Sequence, residues 1–189
     1  ELHLGKNQLT DLSPLEGLKQ LTTLHLQENP KLTRAEIDEL QKALPNCVIH
    51  HDLMNSVELI KADIRGKLGK SGGEITQADL AKLKELGGYR GDVSDISPMK
   101  GAINVERIEL RHNQVSDLSA LADMKKLRYL NALDNRITDL SPLAGLNSLR
   151  ELHLGKNQLT DLSPLEGLKQ LTTLHLQENP KLTRAEIDE

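Results

Sequence analysis

The segment from Gly66 to Ser71 has some of the glycines and lysines of a phosphate-binding loop. That loop needs the spacing G-x-x-x-x-G-K-[ST], which lets backbone N–H groups and a lysine surround the phosphates. Gly69-Lys70-Ser71 matches the end of the pattern, but Ile64 stands where the first glycine is needed. Because no strand precedes this segment and no apolar helix directly follows it, we expect a glycine-rich link between two helices.

Cysteine and histidine offer possible metal ligands near residue 50. Cys47, His50 and His51 form a C-x-x-H-H cluster. The cluster lacks the second ligand pair and the usual spacing of a zinc finger. We therefore expect an exposed strand end at these residues.

Two further histidine pairs, His153 with His175 and His3 with His25, each lie 22 residues apart. A stacked pair could bind a metal or respond to pH; alternatively, an exposed polar position simply recurs with the surrounding repeat. We expect the second, since no column of carboxylates accompanies the histidines. No set of nucleophile, base and orienting residue is apparent either. The sequence thus predicts no catalytic residue, no cofactor and no metal site, and a protein that is not an enzyme.

A 22-residue period runs through the chain and indicates a stacked repeat. Leu149, Leu152 and Leu154 form L-x-x-L-x-L, a short strand whose alternate residues point inward. Each coil is too thin to bury its own leucines, so stacking must bury them. An asparagine at the following turn can satisfy backbone groups of adjacent layers. The predicted structural asparagine ladder consists of Asn7, Asn29, Asn113, Asn135, Asn157 and Asn179. A weaker repeat upstream has Gly91 in place of the asparagine.

The segment ITDLSPLAGLNSLRELHLGKN, residues 137–157, resembles the leucine-rich repeat family in its 22-residue bacterial, internalin-like type. Residues 66–86 look like the N-terminal cap of secreted bacterial members, and residues 32–51 look like a C-terminal cap. The resemblance implies an α/β fold, a leucine-rich repeat solenoid with short parallel strands on the concave face and helical N- and C-terminal caps. It also implies a secreted or surface-associated bacterial parent, although no signal peptide is visible and the localisation stays open.

In similar proteins the concave face commonly holds a protein ligand. Both tyrosines of the chain and three arginines fall on it, and these residue types are enriched at binding hot spots. The alternative is an ordinary solvated sheet face. The predicted partner-binding residues are Tyr89, Arg90, Arg107, Glu109, Arg111, Tyr129, Asn131, Leu133, Glu151, His153, Thr173, His175 and Gln177.

Glu1–Glu39 and Glu151–Glu189 are identical at every position. We interpret this as an engineered permutation or tandem arrangement; a recent natural duplication is the alternative. Residues 1–53 should form two repeats and a C-cap, and residues 54–189 an N-cap, the repeats and a truncated second C-cap. Read from residue 54 to 189 and then from 40 to 53, the sequence gives one complete domain.

Helices are predicted around Val57–Leu68, around Gln77–Leu86 and over the stripe of Ile37, Leu40 and Leu44, which Pro45 should end. Thr33-x-x-Glu36 and Thr76-x-x-Asp79 are capping-box patterns. Parallel strands are predicted at Arg107–Leu110, Tyr129–Ala132, Glu151–Leu154 and Thr173–Leu176, and a closing strand at Cys47–Ile49.

The net charge of -4 and the absence of a basic cluster argue against nucleic-acid binding, and no apolar run is long enough for a membrane. We expect an interaction scaffold whose partners are other copies of the same chain, joined head to tail or by swapping the duplicated segment. Closure within one chain would need a linker of roughly 40 Å, whereas the residues around His51–Val57 reach only about 20–24 Å. The alternative is a natural ligand-binding module with a protein partner on the concave face.

Overall fold

The computed structural model describes residues 1–51, 56–89 and 93–183, which divide into two compact units, one before residue 56 and one from Ser56 onward. In the first unit, three short strands form a parallel sheet in the order β1-β2-β3. A helix, α1, joins β2 to β3. The bounds are β1 Leu2–His3, β2 Thr23–His25, α1 Arg34–Ala43 and β3 Val48–His50.

The second unit begins with two helices and continues into a five-stranded parallel sheet of order β4-β5-β6-β7-β8. Each strand pairs with the one 22 residues later, for example Leu130 with Leu152. The bounds are α2 Ser56–Leu68, α3 Gln77–Leu80, β4 Glu85–Gly87, β5 Arg107–Glu109, β6 Tyr129–Asn131, β7 Glu151–His153 and β8 Thr173–His175.

The return path of each repeat contains a 3₁₀ turn that begins at a serine. The aspartate two residues earlier accepts the serine N–H through Oδ1, as Asp139 does from Ser141 at 2.8 Å. This contact explains the recurring Asp-Leu-Ser pattern as a structural one. The turns are Ser13–Leu15, Ser97–Met99, Ser119–Leu121, Ser141–Leu143 and Ser163–Leu165.

Each unit has its own apolar core, built from the leucine columns. Leu130 and Leu152, on adjacent strands of the second unit, are both fully buried. Burying one leucine side chain contributes about 1.5–3 kcal/mol, so stacking supplies the stabilisation that a single coil lacks. Ile60 and Ile64 of α2 join this core, and Ile37 and Leu40 of α1 join the core of the first unit in the same way.

Both predicted capping boxes are confirmed, at Thr33 with Glu36 and at Thr76 with Asp79. The predicted helix at Gln77–Leu86 is wrong beyond Leu80, since Glu85–Gly87 forms strand β4. The spacing of three residues between Leu80, Leu83 and Leu86 fits a helix as well as this repeat. Glu85–Gly87 forms a strand because it pairs with β5.

The remaining differences from the predicted elements are small. The predicted strands of the second unit end one residue early, as β5 does at Glu109. The closing strand is Val48–His50 rather than Cys47–Ile49, and α2 begins at Ser56. The predicted boundary between residues 53 and 54 lies outside the described residues. Within the described ranges, no helix is both long and apolar enough to cross a bilayer.

Candidate interaction surfaces and the duplicated segment

Five of the six predicted ladder asparagines connect successive layers through their side-chain amides, whereas the exposed Asn7 donates to Leu4 O and Gly5 O of its own turn. Asn135 Nδ2 donates to the carbonyl oxygens of its own turn and also to Leu110 O of the preceding layer at 2.9 Å. Its Oδ1 accepts from Val115 N at 2.9 Å. Since Asn135 is 8% exposed, these backbone groups have little water to replace the amide. We therefore propose that the ladder stabilises the stack.

Each ladder asparagine follows a residue in the left-handed conformation, with φ between 53° and 59°. Few non-glycine residues adopt it at low cost. The contacts of the following asparagine with the same turn hold the backbone there. These residues are Lys6, Glu28, His112, Asp134, Lys156 and Glu178. Sequence reasoning missed this feature, because the six side chains share no common propensity.

The outward side chains of β4 to β8, with those just after each strand, make a surface that we call the outer strand face. At its centre the Arg107 guanidinium lies 3.6 Å from the centroid of the Tyr129 ring. Arg107 also pairs with Glu109. A half-buried tyrosine stacked under an exposed arginine presents apolar area and charge together, which is typical of binding hot spots.

The predicted residues of the concave face differ in how far they are available to a partner. Arg107, Arg111, Glu151, His175 and Gln177 are exposed, and Glu109, Tyr129, Leu133, His153 and Thr173 are half-buried. Arg90 lies outside the described residues.

Two of the expected outward side chains are engaged within the protein. Asn131 is only 8% exposed, and its Oδ1 accepts from Leu133 N at 3.2 Å. Tyr89 is half-buried and donates through its hydroxyl to Asp63 of α2 at 2.8 Å. Burial and this hydrogen bond raise the pKa of Tyr89 well above its usual range. Tyr89 thus ties α2 to the edge of the sheet.

His153 and His175 of the second unit lie close together but belong to no group of three possible metal ligands among the described residues. His153 Nδ1 lies 2.9 Å from His175 Nδ1, and the rings meet edge to face. Burial, with the charge of His175 adding, lowers the pKa of His153. The Tyr129 ring covers His153 on its other side, with ring centroids 5.5 Å apart.

The same sequence in the first unit has a different arrangement. The His3 and His25 rings stack in parallel with centroids 4.4 Å apart, and His50 stacks on His25 at 4.6 Å. Glu1 Oε1 lies 3.1 Å from His3 Nε2 and 3.2 Å from His25 Nε2. The hydrogen bond from His25, with the charge of His3 adding, lowers the pKa of the Glu1 carboxyl. A single carboxylate, Glu1, therefore accompanies these histidines, although no column of carboxylates does, since Thr23 follows Glu1 one period later.

The two other candidate clusters are not assembled. Lys70 Nζ pairs with Asp79 Oδ2 at 2.5 Å, where Asp79 also accepts from Thr76 N. These contacts hold the pKa of Asp79 far below its usual range, so the lysine is committed to the capping box. Cys47 is buried in the first core, and burial raises the pKa of its thiol. Cys47 thus does not lie at an exposed strand end as predicted, and among the described residues it belongs to no group of three possible metal ligands.

The identical copies bury different leucines. In the second copy Leu152, beside β6, is fully buried, while the equivalent Leu2 is half-buried. Conversely Leu24, beside β3, is fully buried, while the equivalent Leu174 is 39% exposed. Since the sequences are the same, the neighbouring layers alone cause these differences. Each copy has the covering layer that the other lacks.

Comparison with known proteins agrees with this repeat geometry. The family model for leucine-rich repeats in two copies matches residues 1–46, 103–145 and 147–188. Comparison with curated protein sequences gave no match. An internalin (inlF) from Listeria monocytogenes is 32% identical, with a TM-score of 0.59 over 67% of this chain and 40% of that chain. The chain thus spans less than half of that internalin structure.

Two further structures from the same organism are similar. Internalin C2 is 35% identical, with a TM-score of 0.47 over 93% of this chain and 71% of that chain. The functional domain of InlJ, which includes a cysteine ladder, is 20% identical, with a TM-score of 0.51 over 69% of this chain and 33% of that chain. The family match over more than half of the chain shows that it belongs to the leucine-rich repeat family, and its fold is similar to that of the bacterial internalin inlF.

Proposed function

We propose that the chain is an interaction scaffold whose copies associate by exchanging the duplicated segment. Leucine-rich repeat proteins, internalins among them, are protein-interaction modules. The observation that carries the proposal is the unequal burial of the two identical copies, such as Leu24 and Leu174. The second copy has strand β6 before it, and the first copy is followed by strand β3 and covered by helix α1.

Exchange would combine the two coverings in one stack. Residues 1–51 of one chain would replace residues 151–183 of a neighbour beside β6. The resulting sheet would have the order β4-β5-β6-β1-β2-β3, with α1 over its end. The contacts with β6 need no new complementarity, because β7 already makes them with the same sequence. Leu2 would take the buried position of Leu152, and Asn7 would take that of Asn157, whose Oδ1 accepts from Ile137 N.

The energetic balance depends on the edges. Exchange loses the pairing of β7 with β8, covers the apolar edge at β1, and removes the exposed edge at β8 together with the displaced copy. Exchange also releases the displaced copy from its ordered state. This release favours exchange, because ordering costs roughly 1–2 kcal/mol per residue in backbone entropy. The contact between chains joins β6 of one chain to β1 of another, so it is heterologous. Repetition of such a contact gives a ring or a fibre.

Disulfide trapping tests the exchange. Asn131 and His153 are partners in the register of β6 and β7, and adjacent strands lie about 4.8 Å apart, within the Cα separation that a disulfide spans. In a Cys47→Ser background, Asn131→Cys with His3→Cys should give chains linked to one another on a non-reducing gel. Asn131→Cys with His153→Cys is the matched control, which closes within one chain when the second copy is in place. A third pair, His175→Cys with His3→Cys, detects end-to-end stacking instead.

The outcomes separate the alternatives. Exchange is wrong if the first pair stays unlinked while the control pair closes, or if the first pair closes within one chain. Linkage between chains through the third pair alone would show that β1 stacks on β8 of a neighbour. An engineered origin and a natural duplication predict the same result here, since both rest on the same two copies.

A second function is favoured by the stacking of Arg107 on Tyr129, namely that the outer strand face binds a protein partner. Peptides selected from a random library against the immobilised chain provide a probe. Their binding should fall on Tyr129→Ala and persist on Lys125→Ala, a change at an exposed residue away from the strands. Equal binding by both variants would contradict this assignment.

A further inference from the structure

The first unit places three metal-ligating side chains on one edge of its sheet. Glu1 and His3 lie two residues apart, so they project from the same face. The register of β1 and β2 sets His25 beside His3. The ligand atoms of Glu1, His3 and His25 all lie within 4.8 Å of one another. This convergence follows from the pairing of β1 with β2 within one chain.

The distances suit a small divalent ion. Zinc binds histidine nitrogen and carboxylate oxygen at about 2.0–2.2 Å in a tetrahedron, which sets neighbouring ligand atoms roughly 3.3 Å apart. The Glu1 oxygen lies 3.1 Å from His3 Nε2 and 3.2 Å from His25 Nε2. The stacked rings need to turn about their Cβ–Cγ bonds to aim both nitrogens at one point. Although His3 stacks on His25, its side chain and that of Glu1 are largely exposed, which leaves both with room to turn.

We propose that Glu1, His3 and His25 bind a zinc ion, with water at the fourth position. Imidazole nitrogen and carboxylate oxygen are ligands that zinc accepts in three-ligand sites open to water. The carboxylate offsets part of the charge of the ion, and both histidines bind in their neutral form.

The second copy is a control built into the same chain. Its residues Glu151, His153 and His175 have the same sequence but do not form such a group among the described residues. There the two histidines direct Nδ1 at one another at 2.9 Å, and His153 Nε2 is buried. β6 flanks this copy and its Tyr129 ring restricts His153, whereas β1 has a neighbouring strand on one side only within the described residues.

Zinc binding can therefore be tested independently of exchange, and each should disfavour the other. A first copy moved beside β6 would set His3 next to Tyr129, in the environment that His153 has now. The zinc site accordingly belongs to the unexchanged chain. If the chain never exchanges, the site is unaffected; if it does exchange, added zinc should shift it toward the monomer.

The test is a zinc titration against a chromophoric indicator, on the full chain, with molecular mass measured in the same samples. We expect one zinc ion per chain at micromolar concentration. His25→Gln should weaken uptake at least about tenfold, whereas His175→Gln should change it less than about twofold. Glu1→Gln and Glu151→Gln give a second matched pair at exposed positions, where folding is not at risk. The proposal is overturned if both members of a pair weaken uptake equally, or if the chain takes up no zinc.

Discussion

Removing one rung of the asparagine ladder tests whether the ladder stabilises the stack. Asn135→Ala is the informative change, because Asn135 lies outside the duplicated segment and no second copy can replace it. The variant leaves Val115 N–H without its side-chain acceptor in a buried position. It also removes one donor to Leu110 O, which still accepts from Asn113 Nδ2. An orphaned buried group costs about 1–3 kcal/mol, so we expect the free energy of unfolding to fall by that amount.

Urea denaturation followed by circular dichroism measures this change. With a denaturant slope of about 1–3 kcal/mol per molar, the midpoint should move down by roughly 1 M. Asn147→Ala is the matched control at an exposed position of the same repeat and should stay within about 0.5 kcal/mol of the parent. Asn135→Asp keeps the acceptor for Val115 N but loses the donor, so it also destabilises. If Asn135→Ala unfolds at the same urea concentration as Asn147→Ala, the ladder does not stabilise the fold.

Three further predictions use the same measurement. Leu130→Ala should lower the free energy of unfolding by about 2–5 kcal/mol, because the Leu130 side chain is fully buried. Tyr129→Ala, on the outer strand face, should lower it far less. Equal losses of stability in the two variants would contradict the assignment of Tyr129 to the outer strand face. Gly87→Ala should lower the free energy of unfolding by more than about 1 kcal/mol. Gly87 has φ of +124°, and a Cβ at this position would lie 2.0 Å from Glu109 O. An unchanged free energy of unfolding would show that β4 lies elsewhere. Burial is the main cause of the lowered pKa of His153 in the folded protein. Protonation of His153 therefore favours the unfolded state, and the stability that neutral His153 contributes is lost as the pH falls below about 6.5. His153→Gln should reduce the loss of stability between pH 7.5 and pH 5.5, and an unchanged dependence on pH would exclude His153 as its source.

The repeat itself was readable from the sequence because its spacing has one physical meaning. Leucines at the strand positions and an asparagine at each turn recur together, and their stacking is the way a thin coil buries its apolar side. The strand register between Leu130 and Leu152 follows directly from the period. The ends of the elements were less readable: at Leu80, Leu83 and Leu86 the spacing fits a helix as well as a repeat.

The properties of the candidate sites depended on neighbours rather than on residue types. Glu1 and His3 could have been placed on one face from their separation of two residues, but their distance to His25 needed the folded sheet. The difference between the copies was beyond any sequence argument, because Leu24 and Leu174 have identical surroundings in sequence and differ only in the layer beside them. Asn131 is buried for a related reason, since its side chain bonds Leu133 N rather than facing solvent.

The molecular mass of the 189-residue chain in solution tests the central claim most directly. A single chain has a mass of 21.0 kDa. Sedimentation velocity at increasing concentration, without added zinc, should show assemblies at whole multiples of this mass, with the monomer present only at the lowest concentrations. A constant mass of 21.0 kDa up to high micromolar concentration, with residues 1–51 protected from protease, would contradict association through the duplicated segment.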